Sequence, residues 1–137
     1  MRMKLRTIVL SLLALAIVLI MSCAPQAVSI SDRINMFVSS LNSGGSSTYT
    51  NCDPNALDYG SSRTPSFWTN SLFPTAQDPY SASNINDSNS AAVTVTISPT
   101  GAPSGTYTFG MVNSPNMGSD NWLISTIYDP TATEIFK

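Results

Sequence analysis

The 137-residue chain holds two cysteines, Cys23 and Cys52, and no histidine. Without His it lacks the commonest general base and the commonest zinc ligand, and nothing in the sequence calls for a metal or a cofactor. The nearest approach to an acid–base set is Asp53 and Asp58 beside Tyr49 and Tyr59. A carboxyl group whose pKa is raised in an apolar pocket would let such a set work. A plainer reading competes with it: Asp53 precedes Pro54 and belongs to a turn, and Asp58 is solvated. No catalytic residue is assigned on this basis, and the chain reads as a non-enzyme before it reads as an enzyme. Cys52 has no nearby His or Lys to lower its pKa, so it reads as a small buried hydrophobe.

The second chemical resource is aromatic. Trp68, Phe73, Tyr107, Phe109, Trp122 and Tyr128 are candidates to line a ligand pocket. The same side chains bury the most area per residue and equally make a core. Thr94, Thr96, Ser98, Thr106 and Thr108 alternate with apolar residues, as on a solvated sheet face or a partner surface. Asn86-Asp87-Ser88 matches the glycosylation triplet, a three-residue motif whose occurrence here is expected to be accidental.

Those residues sit on elements of two kinds. Ile30, Ile34, Phe37, Val38 and Leu41 form one apolar helical stripe. Ser29 with Asp32 three places on approximates a capping box, and Asn42 to Gly45 stop the helix. Thr64-Pro65 predicts a second, short helix through Phe67, Trp68, Leu72 and Phe73. Residues 75–90 read as a long Asn/Ser/Asp loop. Three alternating strands follow: Val93 to Ile97, Thr106 to Met111 and Asn121 to Tyr128. In the last, Trp122, Ile124, Thr126 and Tyr128 are expected on one face, with Leu123 and Ile127 on the other. Glu134 to Lys137 adds a short edge piece. Helices first and an antiparallel meander last predict an α+β fold, with N-terminal helices packed on a curved sheet.

The N-terminus differs in kind. Arg2, Lys4 and Arg6 precede an apolar run from Ile8 to Met21, then Ser22 and Cys23. The run is too short for a spanning helix and suits a secretory signal. Ser22 directly before Cys23 resembles the bacterial lipoprotein signal, in the relaxed form similar to that of spirochaetes and other diderm bacteria. The departures from the family pattern are Leu19 one place early and Ser22 where Ala or Gly is usual. The resemblance implies cleavage before Cys23, a diacylglycerol (palmitate-bearing) thioether on its sulfur, and membrane attachment through that lipid. Ala24, not Asp, follows the cysteine, which by the same resemblance implies transfer to the outer membrane. The organisation read is therefore residues 1–22 a removed signal, 23–28 a lipidated tether and 29–137 a single α+β domain. Residues 23–137 carry three basic and eight acidic side chains, net −5, and 44 of them are Ser, Thr or Asn. Three cations cannot supply the basic stripe a nucleic-acid binder needs, and two cysteines cannot make a disulfide scaffold.

The layout also resembles the small cone-shaped domains related to nuclear transport factor 2, often called SnoaL-like. The likeness rests on the helix from Asp32 to Asn42, the aromatic helix, and the closing strand Trp122-Leu123-Ile124 leading to Asp129-Pro130. Cystatin-like folds share the same layout. That family implies a pocket between bent sheet and helices, with some members enzymes and others binders or sheet-mediated dimers. Three expectations follow: an envelope lipoprotein with a non-catalytic binding or structural domain; a small-molecule pocket enzyme or carrier taking an apolar ligand; or a homodimerising envelope module.

Overall fold

The computed structural model describes residues 25–69, 73, 79–116 and 118–137. The expected signal segment, Cys23, Leu72, Pro74 and the first residues of the expected 75–90 loop lie outside that set. The described chain is α+β. Helix α1 (Ile30–Asn42) comes first, then two 3₁₀ turns, Thr48–Asn51 and Ser61–Arg63, and a single helical turn α2 (Pro65–Phe67). Five antiparallel strands follow in sequential order: β1 (Tyr80–Asn86), β2 (Val93–Pro99), β3 (Gly105–Asn113), β4 (Trp122–Tyr128) and β5 (Glu134–Phe136).

Helix α1 forms where its stripe requires. The Ser29 hydroxyl accepts from the Asp32 backbone N–H and donates to the Asp32 carboxylate, which satisfies an otherwise orphaned donor of the first turn. Gly44 and Gly45 take positive φ just past the end, where a Cβ would be strained. Ile30, Ile34, Phe37, Val38 and Leu41 are all buried against the sheet. The facing residues are Val93, Val95 and Ile97 of β2, Phe109 and Met111 of β3, Ile124 and Ile127 of β4, and Phe136 of β5. The other sheet face carries Thr94 opposite Thr108 and Thr96 opposite Thr106, polar and partly exposed, as expected of an antiparallel sheet covered on one side.

Strands β1 and β4 depart from simple alternation, and the β4–β5 pairing also shifts register between Ile127 and Tyr128. In β1, pairing with β2 slips between Ser83 and Asn86, and Asn84 there has φ of 49°. Asn tolerates this left-handed conformation better than most residues. The segment expected as loop is thus a bulged edge strand: Tyr80 and Ala82 face inward, and the extra residue brings Ile85 back toward the core. In β4, Gly110 pairs with Thr126 but Met111 pairs with Ile124. Ser125 is the extra residue of a bulge, and it reverses the face of everything after it. Ile124 and Ile127 therefore point the same way and both are fully buried, whereas Tyr128 joins the Thr-rich outer face. This corrects the uninterrupted alternation expected of the strand.

The free side of β4 is occupied. Val28 bridges to Asn121 and Cys52 to Ile124, both parallel, while β5 takes the far half. The chain is bonded to the domain from Pro25 onward: Ser119 donates to the Pro25 carbonyl at 2.8 Å and Val28 N–H to the Asp120 carbonyl at 2.9 Å.

Candidate functional site

The acid–base candidates do not converge. Tyr49 and Tyr59 do meet, edge to face at 5.8 Å, and the Arg63 guanidinium lies over both rings at 5.7 and 5.2 Å. The two carboxylates have other work. Asp53 accepts from the backbone and side-chain N–H groups of Asn55, closing a turn. Asp58 accepts from the Lys137 backbone N–H while its own N–H donates to the Lys137 carbonyl, pinning the C-terminus. Cys52 is 2% exposed. Burial drives its thiol pKa far up, against a smaller lowering by Arg33, with Asp53 adding to the rise. A thiolate is the reactive species, so this sulfur is inert in the folded protein.

A residue that sequence reading passed over is Arg33. It occupies the apolar stripe of α1, three places after Ile30, and is itself buried. Its Nε donates to the Trp122 carbonyl at 2.6 Å, one terminal nitrogen to Asn51 Oδ1 at 3.3 Å and the other to Asn121 Oδ1 at 2.8 Å. All three acceptors are neutral. The signal available in the sequence was a cation at i+3 on an otherwise apolar face.

The aromatic candidates separate into three groups. Trp68 and Phe109 are fully buried. Phe37 stands between them, edge to face with Trp68 at 5.3 Å and with Phe109 at 5.7 Å. The Trp68 indole N–H donates to the Ser62 carbonyl at 2.7 Å. Trp122 is half-buried against the core, and Tyr128 lies on the outer face with its hydroxyl 3.4 Å from Glu134. Phe73 and Tyr107 form the third group. Phe73 stacks on Tyr107 at 5.5 Å and meets Tyr80 edge to face at the same distance.

These last three rings, with Ile97, Pro99, Ala102, Pro103, Ser104, Gly105 and Pro130, line a half-open pocket of about 310 Å³. It lies where the β2–β3 turn, the start of β1 and the β4–β5 turn come together. Its lining is mostly apolar, and its hydroxyl-bearing residues are Tyr80, Ser104 and Tyr107. The Ser104 hydroxyl is hydrogen-bonded to Ser98 at 2.7 Å. Burial raises the Tyr107 pKa, and the neighbouring Tyr80 and Asp129 raise it further, so Tyr107 is a neutral phenol. Asp129 itself is held below the usual carboxylate range by the Thr131 hydroxyl and by the backbone N–H groups of Thr133 and Thr131. No protein family, characterised protein or solved structure matches this chain.

Proposed function

We propose that this is a lipid-anchored bacterial envelope protein whose single α+β domain binds or supports and does not catalyse. The N-terminal resemblance supports the anchor, with Cys23 as the lipidated residue and the outer membrane as destination. One observation carries the non-catalytic reading: each acid near a candidate partner already serves a turn or a chain end, Asp53 through Asn55, Asp58 through Lys137 and Asp129 through Thr131 and Thr133. The helix-first, sheet-last order supports reading the domain as a cone of the nuclear transport factor 2-like or cystatin-like kind. Its interior is filled by Phe37, Trp68, Phe109 and Phe136, and the ligand space lies at one end.

The anchor is tested by growing producing cells with labelled palmitate. Wild-type protein should incorporate label and fractionate with the outer membrane, and Cys23→Ala should do neither. Label retained by the Cys23→Ala variant, or none in the wild type, rejects lipidation at this sulfur.

A further inference from the structure

We infer that the pocket between Tyr107, Tyr80 and Pro130 binds a small, neutral, ring-bearing organic molecule with one hydrogen-bond acceptor, taken from the aqueous side and not from the bilayer. The inference deepens the binding reading above and rests on it.

Four features define the ligand class. The lining side chains carry no formal charge, so a charged ligand would shed part of its hydration with no counter-charge in return. Anions are disfavoured again by Asp129, the residue before Pro130 of the lining, and by the net charge of −5 over residues 23–137. Size sets an upper bound of one to two rings: about 310 Å³ is at the lower end of the roughly 300–1,000 Å³ range of ligand sites, and a cavity of roughly half that volume already holds benzene. The walls select a flat apolar face, since aromatic rings and the edges of Pro99, Pro103 and Pro130 suit stacking and C–H contacts with a ring. Tyr80, Ser104 and Tyr107 are the hydroxyl-bearing residues of the lining, so the ligand should offer an acceptor.

The direction of entry follows from the strands. Pro25, the described residue nearest Cys23, is bonded to Ser119 in the β3–β4 turn. The pocket is built on the turns at the other end of the same strands, beside Gly105 and Pro130. β3 has nine residues, which at roughly 3.3 Å each separates the two ends by about 30 Å. A lipid on Cys23 would hold the pocket away from the membrane, where bilayer chains do not reach it.

The test uses the full-length protein in detergent and four probes: p-cresol, benzoate, hexanol and methyl glucoside. Binding is read from backbone amide shifts of β2 and β3. p-Cresol should saturate, shifting Ile97 and Tyr107 most. Benzoate, hexanol and methyl glucoside should each bind at least about tenfold more weakly. Ala102→Trp, which fills the mouth, should abolish binding, and Asn116→Trp at the opposite end should leave it unchanged. Tyr107→Phe removes only the hydroxyl and should weaken p-cresol by about three- to tenfold. Undiminished p-cresol binding in both pocket variants places the ligand elsewhere and overturns the inference, as does benzoate matching p-cresol. If no probe binds while palmitate labelling succeeds, the ligand is refuted and the anchored domain stands. If labelling fails while p-cresol binds, the anchor is refuted and the pocket stands.

Discussion

Arg33 carries a charge where the helix stripe is otherwise apolar. With no carboxylate partner among the described residues, this buried cation is tolerated because the three N–H directions used by its planar guanidinium end on three oxygens, on β4, on the preceding turn and in the first 3₁₀ turn. One side chain thereby ties α1 to Asn51, Asn121 and Trp122. Removing it leaves one buried and two partly buried acceptors unpaired, so Arg33→Ala should lower stability by about 2 kcal/mol, read as a fall in the urea midpoint at constant slope. Arg33→Lys should recover less than half, because a compact ammonium cannot span the fork. A change within about 0.5 kcal/mol for the alanine variant would mean that Arg33 is an ordinary surface residue. The stripe of Ile30, Ile34, Phe37, Val38 and Leu41 was legible because helical periodicity is a local property. Arg33 was not, since its acceptors at 121 and 122 are distant in sequence, and a lone cation in a helix ordinarily reads as solvated. The aromatic residues posed a similar difficulty. Type alone cannot distinguish Trp68 and Phe109, which fill the centre, from Phe73 and Tyr107, which border open space.

The elements show which physical information the sequence carried and which it lacked. Strands β2 and β3 alternate cleanly and were readable as strands. β1 was not, because Ser and Asn have low strand propensity and the bulge at Asn84 breaks the alternation. Only pairing with β2 makes it a strand. β4 was recognised, but its faces were misassigned after Ser125 because a bulge leaves no mark in composition. Its sequence correlate lies on the partner strand. A Cβ at Gly110 would collide with the Thr126 hydroxyl and crowd that of Ser125, and Ser125 donates to the Gly110 carbonyl at 3.0 Å. Gly110→Ala should therefore cost about 2 kcal/mol. Thr126→Ala in the same chain should return at least about 1 kcal/mol of it, a coupling measurable by a double-mutant cycle. Strict additivity would show that the bulge does not require glycine. The β4–β5 turn depends on a charge. Asp129 accepts from the Thr131 backbone N–H and hydroxyl and from the Thr133 N–H, and its pKa is lower folded than unfolded. Its contribution is therefore complete above the unfolded value and lost as pH falls through the folded one. Wild-type stability should decline across that acid range more steeply than that of Asp129→Asn, as followed by urea midpoints from neutral pH downward. Parallel curves would remove the turn as an acid-sensitive element.

At the scale of the molecule, the sequential sheet has two distinct ends. Strands β2, β3 and β4 run between the turn that meets Pro25 and the turns that form the pocket. The helices-then-meander order was legible, since each strand pairs with its neighbour in sequence. The closeness of residues 25–28 to the β3–β4 turn was not, because the segment reads as a plain tether and its bonds to Ser119, Asp120 and Trp122 span the chain. Those bonds hold the chain from Pro25 onward, so a lipid on Cys23, two residues earlier in sequence, would fix the orientation of the whole domain and not merely its location. Orientation can be measured because Cys52 is buried and inert and a lipidated Cys23 has no free thiol, which leaves an introduced cysteine as the one labelled site. With the lipidated protein in vesicles bearing an acceptor dye on the headgroups, a donor on Asn116→Cys should be strongly quenched. A donor on Ala102→Cys, about 30 Å further along the strands, should be quenched much less. A ten-residue Gly/Ser insertion between Ala24 and Pro25 should bring the two efficiencies together, because a flexible linker of that length spans roughly 15–20 Å and frees the domain to tumble. Equal quenching before the insertion would show that the bonds to Pro25 and Val28 yield at the membrane and that the pocket has no preferred direction.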